Sequence, residues 1–89
     1  MMIFGRVDDR RFHDCVLTII DKTKNSETVR TVYLDGEYDE PMTLNGIREM
    51  FPKAREITVF AENALNGRIY RYGNHGDFWE YVGDTVGYA

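Results

Sequence analysis

The chain has 89 residues, 43% of them hydrophobic and 29% charged, which argues against disorder and leaves room for one core. Its formal net charge of −4 opposes general binding to nucleic acid, because affinity for phosphate comes mainly from Lys and Arg. We therefore predict a single small domain over residues 1–89.

The N-terminal part predicts a short edge strand at residues 2–7, followed by a charged loop at residues 8–14. It lacks the basic region and long apolar stretch of a signal peptide. No apolar run approaches the ~20 residues that span a bilayer. A single cysteine, Cys15, cannot form an intramolecular disulfide, which favours a reducing compartment. We therefore expect a soluble cytoplasmic protein that does not bind membranes.

The next two segments predict a β-hairpin. Residues 15–21 are rich in β-branched side chains, with Val16 on one face and Leu17 and Ile19 on the other. Apolar residues on both faces are typical of a central strand that is covered on part of each face. Residues 27–34 predict its partner strand, across a polar turn.

Four acidic residues then fall within six positions, around Gly36 and Tyr38, and Pro41 ends this acidic loop. Such a cluster is usually a solvated loop, but it can also form a docking surface for a basic partner. The acidic residues are Asp35, Glu37, Asp39 and Glu40.

A short amphipathic helix is predicted over about residues 43–51. Thr43 can cap its first turn, because the hydroxyl can accept a free backbone N–H. Pro52 stops the helix, since the residue before a proline is pushed out of the α region. The apolar residues on one face of this helix are Leu44, Ile47, Met50 and Phe51.

The last third predicts three antiparallel strands joined by tight hairpins, because three aromatic, β-rich segments are separated by two clusters of Asn, Gly and Asp. Tyr70 and Tyr72 share one face of the middle strand, and Trp79 and Tyr81 share one face of the last. The pattern does not decide which pair faces the helix. Rings on both sheet faces would favour a homodimer.

The predicted order is β-β-β-α-β-β-β. The predicted fold is therefore an α+β domain, in which an antiparallel sheet of about five to six short strands carries one helix on one face.

Catalysis has two sets of candidate residues. His13 and Cys15 stand two positions apart, so a regular strand would place them on one face, but no oxyanion-hole signal accompanies them. His75 lies beside Asp77 in a turn whose Asn, Gly and Asp are already explained by hairpin geometry. A single cysteine predicts no zinc site, and no phosphate-loop, dinucleotide or zinc-protease motif occurs. We predict no enzyme, cofactor or metal, and keep a small enzyme using His75 or His13 with Cys15 as an alternative.

A second alternative is a single-stranded nucleic-acid binder. Tyr70 and Tyr72 have the same-face spacing that lets rings stack on bases, and Arg68 and Arg71 could hold phosphates. The acidic net charge and the missing glycine and aromatic pattern of RNA-binding sheets weigh against it. We therefore do not expect nucleic acid to be the partner.

The main concentration of basic residues is near the N-terminus, where acidic residues are interleaved with it. We expect these charges to pair with one another on the surface, which contributes little to stability. The residues concerned are Arg6, Asp8, Asp9, Arg10, Arg11 and Asp14.

The function we predict is a non-enzymatic protein-interaction module, acting as an adaptor, a regulator or an inhibitor. Its predicted partner is a protein, bound through the acidic loop and an aromatic face of the sheet. The predicted contact residues are Asp35, Glu37, Tyr38, Asp39, Glu40, Tyr70, Tyr72, Trp79 and Tyr81.

Overall fold

Residues 10–85, the part of the chain that the computed structural model describes, form seven β-strands and one α-helix. The strand predicted at residues 2–7 lies outside the described residues. In chain order the elements are β1 (Arg11–Phe12), β2 (Cys15–Lys22), β3 (Glu27–Leu34), β4 (Met42–Thr43), α1 (Leu44–Met50), β5 (Glu56–Glu62), β6 (Gly67–Tyr72) and β7 (Trp79–Asp84).

Five strands form the main sheet, in the order β3-β2-β5-β6-β7, and every neighbouring pair is antiparallel. The two short strands β1 and β4 pair with each other instead, with Phe12 opposite Met42. The predicted class, an antiparallel α+β fold with one short helix, is confirmed. The sequence did not predict the small β1–β4 ladder.

The central position of β2 is also confirmed, because β2 lies between β3 and β5. Leu17 and Ile19 are fully buried on the face that carries the core, whereas Val16 and Ile20 are partly exposed on the other face. The side chains of β5 alternate in the same way, with Ile57 and the other odd-numbered residues buried. This period of two puts one hydrophobic layer on one face of the sheet.

Helix α1 begins where the sequence predicts, because the Thr43 hydroxyl accepts the Gly46 backbone N–H at 3.0 Å. Leu44 and Ile47 are buried in the same cluster as the core residues of the sheet. Met50, predicted on the same helical face, is exposed at the end of the helix. The helix therefore packs on the sheet mainly through Leu44 and Ile47.

The aromatic residues of β6 and β7 all lie on the helix-covered face. The register pairs Tyr70 with Tyr81 and Tyr72 with Trp79, and side chains directly opposite each other in a sheet share a face. Neither predicted pair therefore points away from the helix. The aromatic side chains on the opposite face come from other strands, Phe60 of β5 and Tyr33 of β3.

Candidate functional site

Strand β3 is one outer edge of the main sheet. It pairs with β2 along all eight residues without irregularity, and it contains neither glycine nor proline. In an antiparallel sheet, alternate residues of an outer strand direct their backbone N–H and C=O away from the sheet. Val29 is 62% exposed and Tyr33 is 74% exposed. This edge is therefore long, regular and partly apolar.

The acidic loop, residues 35–40, continues directly from β3 and is held by its own carboxylates. The Asp35 backbone N–H donates to the Asp39 carboxylate at 2.8 Å. The Glu37 backbone N–H donates to the Asp35 carboxylate at 2.9 Å, and the Asp39 N–H donates to the Asp35 carbonyl at 2.7 Å. Two of the four acidic side chains therefore give the loop its shape.

The other two acidic side chains point outwards. Glu37 and Glu40 are exposed, and neither carboxylate makes a hydrogen bond or an ion pair with another residue in the described part of the chain. Tyr38 stands between them and is 80% exposed. Two carboxylates and one phenol ring are thus accessible at the end of the β3 edge.

Asp14 fixes this loop against the start of β2. Its backbone φ is +52°, a left-handed conformation that Asp tolerates better than most residues, and its carboxylate accepts the Gly36 backbone N–H at 2.6 Å. That hydrogen bond, and a weaker one with His13, lower the pKa of Asp14. A side chain at position 36 would collide with the Asp14 carboxylate, so the contact requires Gly36.

Three of the aromatic residues predicted to contact a partner lie in the core. Tyr70, Tyr72 and Trp79 are only 1%, 9% and 3% exposed. The Phe12 ring meets Tyr70 edge-on at 5.4 Å, and the Arg48 guanidinium lies 4.7 Å from the centre of the Tyr72 ring. The helix and the β1–β4 ladder cover this face, so these three rings cannot touch a partner.

The same burial removes the arrangement proposed for base stacking, because neither Tyr70 nor Tyr72 presents a free ring face. Tyr81 is about half exposed, and its hydroxyl donates to Asp84. That hydrogen bond is the main cause of the raised pKa of Tyr81. Of the four aromatic contact residues predicted on β6 and β7, Tyr81 alone stays accessible, and it lies at the edge of the sheet opposite β3.

The predicted His13 and Cys15 dyad lacks an activated thiol. Burial, and secondarily the charge of Asp14, raise the pKa of Cys15, whereas a cysteine nucleophile needs a lowered pKa. The left-handed residue Asp14 between the two also interrupts the alternation of a regular strand. His13 itself is exposed, with Nδ1 3.4 Å from the Asp14 carboxylate.

His75 sits on the surface next to Glu80, whose carboxylate lies 2.8 Å from Nδ1, rather than next to Asp77. Within residues 10–85, no three His, Cys, Asp or Glu side chains converge so that they could hold a metal ion. No helix in this part of the chain is long and apolar enough to cross a membrane.

The cationic side of the molecule is a feature that sequence reasoning missed. Arg10 Nε donates to the Tyr70 hydroxyl at 3.0 Å; the predicted pairing of Arg10 with Asp8 or Asp9 lies outside the described residues. Arg10, Arg11 and Arg68 line one cavity of about 330 Å³. No local signal could have found it, because Arg10 and Arg68 are brought together only by the tertiary fold.

Comparison of this chain with protein-family models, with curated proteins and with solved structures found no match. Function has therefore to be inferred from the geometry of the molecule.

Proposed function

We propose that this chain is a protein-interaction module that binds an extended, basic segment of a partner protein along β3. The observation that carries the proposal is the continuity of residues 27–40, in which a regular strand edge leads without a break into outward-pointing carboxylates. Such a surface suits an adaptor, a regulator or an inhibitor equally well. A cytoplasmic location is part of the proposal and is supported by the free thiol of Cys15.

The binding mode we infer is strand addition, in which a partner segment becomes a sixth strand of the main sheet. Backbone hydrogen bonds to the outer edge of β3 would supply affinity, and side-chain contacts would supply specificity. Val29 and Tyr33 lie on the same face of the sheet as Ile20 and Val16, with which they pair. Apolar side chains of the added strand would extend this row.

Charge gives the added segment its direction. Every neighbouring pair in the main sheet is antiparallel, and antiparallel pairing is slightly the more stable arrangement. In that orientation the N-terminal end of the partner segment lies beside the acidic loop. Lys or Arg at that end would meet Glu37 and Glu40, which mainly speeds association and sets the register.

Self-pairing through β3 is less suitable. In a two-fold antiparallel pair, one residue of the strand must face its own copy. Placing Thr31 on the axis brings Glu27 opposite Asp35 of the second copy, and placing Arg30 there brings two arginines face to face. Like charges directly opposite each other destabilise a strand pair. The charge pattern therefore disfavours a second copy of this chain in the two registers that centre on β3.

The test uses a synthetic peptide of about eight residues, the length of β3, with the sequence Lys-Thr-Lys-Thr-Val-Thr-Val-Thr. Titration into isotope-labelled protein is followed by backbone amide chemical shifts and hydrogen exchange. We expect shift changes in β3 and in the acidic loop, with slower exchange of the outward-facing β3 amides.

Two peptide controls separate strand addition from simple charge attraction. N-methylation of alternate residues keeps every side chain but blocks hydrogen bonding on one edge, and it should abolish binding. Reversing the sequence, so that the lysines lie at the C-terminal end, should weaken binding. Equal binding of all three peptides would refute strand addition.

A matched protein variant tests the acidic loop. The double substitution Glu37→Gln and Glu40→Gln removes two charges but leaves the hydrogen bonds of Asp35 and Asp39, so the loop keeps its shape. It should weaken the peptide complex and flatten its salt dependence. Shift changes on β7 instead of β3 would contradict the proposal. The same β3 shifts appearing with rising protein concentration alone would identify a homodimer instead.

A further inference from the structure

Two cavities of about 330 and 320 Å³ share part of their lining, and the larger one lies where β2 begins and β5 ends, with Cys15 and Ala61 in its lining. The shared residues are Arg10, Arg68 and Tyr70; the larger cavity also reaches Arg11, and the smaller one reaches Tyr81. These volumes are within the range of small-molecule sites.

The lining of these cavities is cationic although the protein is acidic. Three arginines line the larger cavity, and none of its described lining residues is Asp or Glu. The net charge of the whole chain is −4. A cluster of guanidinium groups recognises phosphate and carboxylate groups, because its planar N–H donors match their oxygens in pairs.

Arg10 is held in place for such a role. Its Nε donates to the hydroxyl of Tyr70, a residue that is almost fully buried in the core. A guanidinium has five N–H donors, so this bond leaves the terminal nitrogens available to a ligand. Arg11 makes no hydrogen bond or ion pair with another residue in the described part of the chain.

Arg68 and Tyr81 complete the site from β6 and β7. Arg68 Nε lies 4.0 Å from the Asp84 carboxylate, a long and exposed ion pair that contributes little. The Tyr81 hydroxyl also donates to Asp84, and the half-exposed Tyr81 ring, tilted against Tyr70, lines the smaller cavity. Asp84 therefore holds the Tyr81 hydroxyl and competes with an incoming anion for Arg68.

We propose that this cavity binds a small phosphate monoester of about nucleotide size. The phosphate lies among Arg10, Arg11 and Arg68, and a planar organic group packs against the Tyr81 ring. A small anion is favoured over a nucleic-acid strand, because successive phosphates of a strand would run from the three arginines onto a surface with net negative charge. No lining residue given for these cavities belongs to β3 or to the acidic loop.

The experiment measures binding of adenosine 5′-monophosphate by calorimetry, with adenosine and inorganic phosphate as comparisons. We expect the monophosphate to bind at least tenfold more tightly than adenosine. Equal affinity for the two would overturn the proposal, and so would the absence of heat with the monophosphate at millimolar concentration. Inorganic phosphate should bind more weakly than the monophosphate, since it lacks the planar group.

Variants locate the site. Arg68→Gln and Arg11→Gln should each weaken monophosphate binding at least fivefold. Arg71→Gln, on the same strand as Arg68 but on the opposite sheet face, should leave it unchanged. An equal loss with Arg71→Gln would show nonspecific charge attraction and refute the site.

A variant that is expected to bind more tightly keeps the test informative even if the variants expected to lose binding misfold. Asp84→Asn removes the competing carboxylate and should raise monophosphate affinity severalfold. An unchanged or lower affinity would contradict the role assigned to Arg68. The last comparison uses a single-stranded oligonucleotide without terminal phosphates. If it binds more tightly than the monophosphate, the proposal is wrong and the site binds nucleic acid.

Discussion

The two edges of the main sheet are built differently. At β7, Ile69 pairs with Gly83 while the next residue, Tyr70, pairs with Tyr81, so Val82 is an extra residue and the strand is bulged. At β3, all eight residues pair in one unbroken register. Bulges and inserted charges are the usual ways in which proteins prevent unwanted pairing at a strand edge.

The difference indicates which edge is available to other chains. The β7 edge is irregular and anchored to the core by Trp79, and Asp84 at its end interacts with Arg68. The β3 edge has no bulge, and its side chains are mostly exposed. A regular edge of this length can accept a further strand, which supports its use as a binding surface in the proposal above.

The largest expected effect on stability comes from comparing a buried aromatic residue of β7 with an exposed one of β3. Trp79→Ala should lower the free energy of unfolding by about 3–5 kcal/mol, because it empties a core site beside Tyr72. Tyr33→Ala, on the exposed β3, should change it by no more than about 0.5 kcal/mol. Urea unfolding followed by circular dichroism measures both. Similar losses for the two variants would show that β3 is also a structural edge.

The second prediction compares the turns that lead into the two edge strands. Gly73, before β7, has a φ of +82°, and a side chain there would strike the Arg55 carbonyl. Gly73→Ala should therefore cost about 1–3 kcal/mol. Asn25→Ala, in the turn before β3, should be close to neutral, since Asn25 is exposed and has a negative φ. The midpoint of urea unfolding distinguishes the two.

A smaller effect on stability is expected at the end of β3, where Asp14 holds the acidic loop. The pKa of Asp14 is lowered in the folded state, so its contribution to stability is present at neutral pH and is lost as the pH falls below about 4. Asp14→Asn should unfold at lower urea than the parent at pH 6, and the two should converge in acid. A gap that persists at the lowest pH would show that the lost interaction is not ionic. Asp77→Asn, at an exposed turn, serves as the control.

The smallest expected effect concerns the thiol of Cys15, which pairs with Leu34 at the same end of the sheet. Because its pKa is raised, alkylation by iodoacetamide at pH 8 should be slower than that of a free cysteine. Asp14→Asn should speed the reaction slightly, since the Asp14 charge contributes to the shift. A rate above that of free cysteine would revive the nucleophile hypothesis.

Local patterns in the sequence predict the elements well. The Thr43 cap and the β-branched run of β2 are each encoded within a few residues of chain, and the structure has them where predicted. The same patterns predict that Tyr70 and Tyr72 share a face. They do not say which face is covered, because that depends on where the helix and the β1–β4 ladder pack.

The sites depend on contacts between distant parts of the chain. The acidic loop could be predicted, since its charges are contiguous, but its anchoring by Asp14 could not. Arg10 meets Tyr70 across 60 positions of sequence, so a cationic cavity in an acidic chain leaves no local pattern.

The order of strands described above also has a kinetic consequence. Within the β2–β3 hairpin and within the β5–β6–β7 meander, each strand pairs with the next one along the chain. The β2–β5 pairing instead joins Val16 to Glu62, about half the chain away. Closing that long loop costs entropy before its contacts form, so we expect two quickly formed halves and one slow docking step. Core substitutions at Leu17 or Val59 should slow folding, whereas substitutions at either edge should mainly speed unfolding.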